Sequence, residues 1–126
     1  MTLVVADYDE ALEFYIEAAG FELLEDTPLS PTRRWVVVAP PHGRGAALLL
    51  ARADGGRQLE RVGDQTGGRV ALFLVTDDLG RDHQRMTAAG VRFPEAPRVE
   101  SYGTVAVFVD LYGNRWDLLQ PGRPSP

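Results

Sequence analysis

Residues 5–20 read VADYDEALEFYIEAAG, and their pattern returns 70 residues later as VTDDLGRDHQRMTAAG at residues 75–90. The two segments share a valine and an aspartate near their starts and an Ala-Ala-Gly at their ends. The same ungapped register extends to the leucine pairs at residues 48–49 and 118–119. A fixed offset of this kind indicates two copies of one structural module.

Each copy is predicted to fold as a strand, a helix and three further strands. Asp7 is placed to cap the first helix, Glu10 completes a capping box, and Gly20 would end the helix in a left-handed conformation. Apolar periodicity and the positions of glycine and proline set the remaining boundaries. The predicted strands are 2–6, 21–26, 33–39, 46–52, 69–75, 91–99, 103–110 and 115–120, and the second helix is 79–89.

The whole chain is predicted to be a single α+β domain of 126 residues. Module one is 1–52, a linker with five glycines is 53–68, module two is 69–120, and 121–126 form a loose tail. A chain of this size buries about two thirds of its unfolded surface, so its core needs neither a disulfide nor a structural metal.

Composition excludes several kinds of chemistry. The chain has no cysteine and no lysine, which removes thiol nucleophiles, thiolate metal sites and Schiff bases. A net charge of -5 disfavours binding to nucleic acid. No apolar stretch approaches the length of about 20 residues that spans a bilayer, and no basic segment precedes an apolar one at the N-terminus. We therefore expect a cytoplasmic protein that contacts neither nucleic acid nor membrane.

Four sequence features together resemble the vicinal oxygen chelate superfamily. They are VADYDEALEFY at residues 5–15, Gly20-Phe21, Arg34-Trp35 and DLYGN at residues 110–114. This superfamily contains glyoxalase I, extradiol dioxygenases, methylmalonyl-CoA epimerase, and the bleomycin- and fosfomycin-resistance proteins. The resemblance implies that two βαβββ modules form a curved mixed sheet around a cleft, in a homodimer. Family members use that cleft either for a divalent metal or for an organic ligand, so fold alone does not fix the chemistry.

The metal ligands of the family's enzymes fall at symmetric positions, which this sequence mostly lacks. One position is at the start of each module's first strand. In module one it falls just ahead of Met1, where a start codon further upstream would add a ligand, and in module two it is Val70 or Ala71. The other position is in the middle of each module's last strand and is Ala47 in module one and Asp117 in module two, so only Asp117 keeps an oxygen ligand. Such a metal needs three or four protein ligands. We therefore expect no cofactor, with a divalent metal such as Fe, Mn, Ni or Zn as the alternative. The two histidines, at positions 42 and 83, are expected to lie on the surface.

Asp117 and Arg115 are expected to share one face of the last strand, at i and i+2. They would form either a recognition element in the cleft or an ordinary salt bridge. In the first case Asp117 would accept hydrogen bonds from an amine or hydroxyl ligand, or act as a general base if burial raises its pKa. A hairpin that pairs Asp110 with Arg115 would bring Phe108 opposite Asp117.

Further candidate ligand-binding residues combine a planar cation with aromatic rings. Arg34 stands beside Trp35, and the two side chains together are suited to an anionic or aromatic ligand. For Trp35, however, a position in the core is favoured over a position in the ligand site. Tyr102 would overhang the cleft mouth from the loop 100–103, whereas Trp116 is expected to pack outward against a helix or a partner subunit. Asn114 is interpreted as a turn residue.

The leading functional hypothesis is a homodimer that has lost the metal and binds a small organic molecule, possibly for drug sequestration. The alternative is a metal-dependent lyase, isomerase or extradiol dioxygenase. A third is a scaffold with a collapsed cleft.

Overall fold

The computed structural model describes residues 1–41 and 45–122. The strands are β1 Thr2–Val5, β2 Glu22–Pro28, β3 Arg34–Ala39, β4 Leu48–Arg52, β5 Val70–Val75, β6 Arg98–Glu100, β7 Gly103–Val109 and β8 Arg115–Pro121. Helix α1 (Tyr8–Leu12) continues as a π-helix over Glu13–Ala18, α2 is Gly56–Leu59 and α3 is Leu79–Ala88. This order confirms the α+β class that the internal repeat predicts.

The strands form two four-stranded sheets with the same topology. The strand orders are β1-β4-β3-β2 and β5-β8-β7-β6. In each sheet the first strand of the module pairs in parallel with its last strand, and the other pairs are antiparallel. Strands β1 and β5 therefore each lie at a sheet edge. The two copies of the 70-residue sequence repeat therefore fold into two sheets with the same strand order.

The helices start and stop where the local sequence predicts. The Asp7 carboxylate accepts a hydrogen bond from the Glu10 N–H at 2.9 Å, as a helix cap does. Gly20 follows the first helix with φ of 81°, and Gly90 follows α3 with φ of 95°. Glycine adopts this left-handed conformation without the steric cost that other residues incur.

One apolar core joins the two modules through the helix-covered faces of their sheets. The Trp116 ring of β8 lies 5.9 Å from the Tyr15 ring and 5.7 Å from the Phe21 ring, both in module one. Because side chains alternate along a strand, the other residues of β5, β7 and β8 face away from α3. We call this side, which lies away from α3, the open face of the second sheet. It carries Phe73, Val75, Val105, Val107, Val109, Arg115, Asp117 and Leu119. Phe73 and Val75 are exposed on it, whereas Val105, Val107, Val109 and Asp117 are buried.

A buried polar network fixes module one to the β7–β8 turn. The Asp110 carboxylate accepts hydrogen bonds from the Tyr15 hydroxyl at 2.6 Å and from the Asn114 side-chain amide at 2.8 Å. The backbone N–H groups of Tyr112 and Asn114 donate to its second oxygen at 2.9 Å. Burial and the neighbouring carboxylate raise the pKa of Tyr15 well above its ordinary value. The interpretation of Asn114 as a turn residue is confirmed.

The continuous strand predicted over 91–99 is wrong. Arg92 makes one isolated bridge with Val109, and regular pairing resumes only in β6. Pro94 and Pro97 lie between these two points. Proline has no N–H to donate to a strand ladder, which explains the interruption.

The prediction that Trp116 packs outward against a helix is confirmed. Trp116 is 2% exposed, and its ring lies 5.9 Å from the ring of Tyr15 in the first helix. The expected surface position of His83 is wrong, because His83 is half-buried and its ring lies 4.2 Å from the Phe93 ring. His42 lies outside the described residues.

Candidate functional site

The open face of the second sheet carries one buried carboxylate without a partner. Asp117 is 7% exposed, and its Oδ1 atom makes no hydrogen bond with any residue in the described ranges. Strand register places Phe73 of β5 on one side of Asp117 and Val107 of β7 on the other. These three residues form a row across the sheet, which we call the Asp117 row.

The electrostatic surroundings of Asp117 favour its neutral form. Burial is the main cause that raises the pKa of Asp117 above its ordinary value, and the negative charge of Glu95 acts in the same direction. Arg98 and Arg115 oppose this shift. Arg98 is itself engaged, because its guanidinium lies 2.8 Å from Glu100 and 3.8 Å from Glu95. An acceptor in this setting is suited to bind a ligand's amine or hydroxyl group.

The predicted neighbour Arg115 does lie beside Asp117, at i and i+2 on the same face of β8. Between residues 1–41 and 45–122, however, no ion pair joins the two side chains. The alternative of an ordinary salt bridge is therefore wrong for this structure. Neither group has an ion-pair partner within the described part of the chain.

The expected position of Phe108 opposite Asp117 is wrong. In the β7–β8 hairpin Val109 pairs with Arg115, which shifts the register by one residue and places Phe108 opposite Trp116. Phe108 is 0% exposed, and its ring stacks on Trp116 at 5.7 Å. A one-residue shift moves a side chain to the other face of a sheet, so Phe108 belongs to the core.

Arg34 is engaged with acidic side chains of its own module. Its guanidinium lies 2.6 Å from Asp26 and 2.8 Å from Asp9, and its central carbon lies 5.2 Å from the centre of the Tyr8 ring. The hydrogen bonds from Arg34 hold the pKa of Asp26 below its usual value. These contacts leave Arg34 poorly suited to an anionic ligand.

The remaining candidates, Trp35 and Tyr102, are both exposed. Trp35 is 44% exposed on β3 of the first sheet, so the expectation of a core residue is wrong. Tyr102 is exposed in the turn between β6 and β7. Within the described part of the chain, neither ring contacts the Phe73 ring.

An apolar pocket of about 480 Å³ lies at the edge of β5. Residues of both modules line it, among them Met1, Ala46 and Leu48 from the first and Phe73 and Val75 from the second. Phe73 is 64% exposed and belongs to both the pocket and the Asp117 row. The pocket size falls within the range of about 300–1,000 Å³ that is typical of small-molecule sites.

Sequence reasoning did not select Phe73. Alternation in 71–75 does predict that Phe73 and Val75 share a face. It does not reveal that β5 pairs with β8, because that pairing joins segments more than 40 residues apart. The register between these strands is what places Phe73 beside Asp117.

The residues at the family's metal-ligand positions within the chain do not fit a divalent ion. Val70, Ala71 and Ala47 have no ligating side-chain atom, and Asp117 is one carboxylate. The described residues contain no group of three or more His, Asp or Glu side chains arranged to hold a metal. Among them, too, no helix is long and apolar enough to cross a membrane.

The fold thus consists of two repeated modules that share one apolar core. The open face of the second sheet lies beside an apolar pocket at the edge of β5. The chain belongs to the Glyoxalase/Bleomycin resistance protein/Dioxygenase superfamily, whose family model matches residues 1–118. The sequence resemblance to this family is thus confirmed. An uncharacterized protein of Shewanella frigidimarina (strain NCIMB 400) is 53% identical over 100% of this chain and 94% of its own length.

Solved structures share the same fold. UcmS2 superposes with a TM-score of 0.80 at 28% identity, covering 94% of this chain and 93% of its own. TnmS3, described as an antibiotic binding protein from Streptomyces sp. CB03234, gives a TM-score of 0.76 at 32% identity, covering 97% and 93%. The family therefore includes a structural neighbour that binds an antibiotic.

Proposed function

We propose that this protein binds and sequesters a small organic molecule on the open face of its second sheet. The observation that carries the proposal is the unpartnered Oδ1 atom of buried Asp117. A buried acceptor without a partner costs stability, and a ligand that donates a hydrogen bond would recover that cost. The likeness to TnmS3, at 32% identity, supports the same class of function.

The proposed ligand has an apolar body and an amine or hydroxyl donor. The donor would meet Asp117, and an ammonium group would do so most strongly, since a charge-assisted hydrogen bond exceeds a neutral one. The apolar body would lie against Phe73 and extend toward the pocket at the edge of β5. An aromatic ring on the ligand would suit Phe73, because offset or edge-to-face ring contacts add to simple burial.

We also propose that a second copy of the chain covers part of this surface in a homodimer. Phe73 and Val75, two residues apart at the edge of β5, are large apolar side chains that remain exposed in the single chain. Exposed apolar groups that cluster in this way are typical of association surfaces. The cytoplasm is the compartment that we propose for this protein.

The test is titration with 2-naphthylmethylamine by isothermal calorimetry. Wild-type protein is expected to bind this probe saturably, and Asp117→Asn is expected to weaken binding at least about tenfold, the loss of one charge-assisted hydrogen bond. The matched control is Asp54→Asn, which removes an equal charge from an exposed residue and is expected to bind as wild type does.

Chelator and metal analysis separate the two functional classes. Binding is expected to persist in EDTA, and the purified protein is expected to contain near-zero Fe, Mn, Ni and Zn by mass spectrometry. Failure of wild type to bind, or equal binding by Asp117→Asn, would overturn the proposal. About one metal per chain together with loss of binding in EDTA would point instead to a metal-dependent lyase, isomerase or dioxygenase.

A further inference from the structure

Three arginines that form no salt bridge within the described residues line one pocket at the end of the open face. Arg69, Arg92 and Arg115 line a pocket of about 270 Å³. Within residues 1–41 and 45–122, none of their guanidinium groups makes an ion pair or a hydrogen bond. Other arginines do have acidic partners, namely Arg34, Arg61, Arg81, Arg85 and Arg98.

Strand pairing brings the three arginines together from distant parts of the sequence. Val109 of β7 pairs with Arg115 of β8 on one side and with Arg92 through the isolated bridge on the other. Arg69 immediately precedes β5, whose first residue Val70 pairs with Arg115. The pocket therefore forms where the linker, the segment after α3 and the last hairpin meet.

The linker side of the pocket is held in place by close contacts. Gly63 has a φ of 77°, and a Cβ atom there would lie 2.0 Å from the Tyr112 carbonyl oxygen. Only glycine permits this approach of the linker to the β7–β8 turn. The Gln65 side-chain amide donates a hydrogen bond to the Arg61 carbonyl at 2.8 Å. These contacts position the pocket wall before any ligand binds, which reduces the entropic cost of binding.

The local charge of the pocket is opposite to that of the whole protein. The chain carries a net charge of -5, yet three of the residues that line this pocket are arginines. The acidic residue in its lining, Asp64, is engaged with Arg61 at 3.4 Å. Positive charge is therefore in excess around the pocket, and an anion bound there would reduce the repulsion between the arginines. Guanidinium groups are suited to carboxylate and phosphate, because their planar N–H donors match the geometry of paired oxygens.

We propose that this pocket binds an anionic group, carboxylate or phosphate, of the ligand whose donor meets Asp117. The inference rests on the proposed function, because the two contacts belong to one molecule. Arg115 and Asp117 lie two residues apart on one face of β8, so their backbone positions are about 7 Å apart. The ligand class is thereby narrowed to amphoteric molecules, with a donor or amine near the centre and an acid at one end.

A pair of matched probes tests the inference by calorimetry. The first is 2-naphthylmethylamine, and the second is 3-amino-3-(2-naphthyl)propanoic acid, which adds a carboxymethyl group at the carbon that carries the amine. Wild type is expected to bind the acid about tenfold more tightly than the amine. Arg92→Gln, a change in the same pocket at a residue that does not act on Asp117, is expected to remove most of that advantage and to leave binding of the amine unchanged. Arg57→Gln, an equal charge change on exposed helix α2, is expected to change neither affinity.

A separate measurement distinguishes failure of this inference from failure of the proposed function. Inorganic phosphate is titrated while the arginine Nε–Hε signals are followed by NMR. Saturable shifts of the signals from Arg69, Arg92 and Arg115, but not from Arg57, are expected. If the amine binds but the carboxylate gives no advantage and phosphate shifts all arginines alike, the anion site is wrong and the proposed function stands. If the amine does not bind but phosphate shifts the three signals saturably, the proposed function fails and the anion site stands.

Discussion

Replacing Asp117 with leucine is expected to stabilise the protein while it destroys ligand binding. In the wild type the Asp117 side chain is 7% exposed and its Oδ1 has no partner among the described residues. Its neighbours in the row are Phe73 and Val107, which would accept an apolar side chain of similar size. A residue that lowers stability and yet is required for binding is typical of a functional site.

The size of the effect follows from the burial of an unsatisfied polar group. Such a group costs about 1–3 kcal/mol. The unfolding entropy of globular proteins is about 2.1 cal/mol/K per residue, so each 1 kcal/mol shifts the melting temperature of a chain this long by about 4 °C. Asp117→Leu is therefore expected to raise the melting temperature by about 4–11 °C at neutral pH.

The pH dependence of this effect identifies the carboxylate as its cause. The folded-state pKa of Asp117 is raised above the ordinary value of 3.8. The unfolded chain keeps the ordinary pKa of 3.8, so between 3.8 and the raised pKa the folded state binds more protons than the unfolded state. Wild-type stability therefore falls as pH rises through that window. The gain in stability of Asp117→Leu over wild type should thus be smallest below pH 3.8 and greatest above the raised pKa of Asp117.

Thermal and urea unfolding of both proteins across this pH range is the assay. The control Asp54→Leu removes a carboxylate from an exposed residue and is expected to change stability by less than about 0.5 kcal/mol. The reasoning is refuted if Asp117→Leu is no more stable than that control at neutral pH. It is equally refuted if the difference from wild type does not vary with pH.

Three further changes test the fold and the site. Tyr15→Phe removes the 2.6 Å hydrogen bond to buried Asp110 and is expected to cost about 1–3 kcal/mol in urea unfolding; a loss below about 0.5 kcal/mol would contradict the role of this network. Arg34→Gln is expected to change binding of 2-naphthylmethylamine less than about twofold, because both of its aspartate partners belong to its own module; a tenfold loss would return it to the site. Gly63→Ala is expected to destabilise the protein more than Gly67→Ala, since only the first Cβ would meet a carbonyl oxygen, at 2.0 Å; equal melting temperatures would show that the linker does not pack against the β7–β8 turn.

Much of the architecture could be predicted from local sequence. The helix cap at Asp7 and the glycine after each helix are properties of a few neighbouring residues, and the structure confirms them. The failure at 91–99 was also local in origin, because Pro94 and Pro97 interrupt the predicted strand. Strand propensity alone predicted too long a strand, because proline has no N–H group to donate to a neighbouring strand and the pairing ends there.

The site was predicted less well, because it depends on strand register. Asp117 and Arg115 were found because both lie in one strand, where spacing sets the face. Phe108 was placed on the wrong face by a one-residue error in the hairpin, and Phe73 was not selected at all. A shift of one residue exchanges the two faces of a strand, so small errors of register reverse a functional assignment.

By itself, the sequence determined the module, its duplication and the family, since a 70-residue repeat and its capping residues are visible without coordinates. Only the tertiary structure decided which side chains share a surface. Pairing of β5 with β8 placed Phe73 beside Asp117, and the bridge between Arg92 and Val109 brought Arg92 to the pocket that Arg69 and Arg115 also line. These neighbours come from segments far apart in the chain, and it is packing and hydrogen bonding between strands, not local propensity, that bring them together.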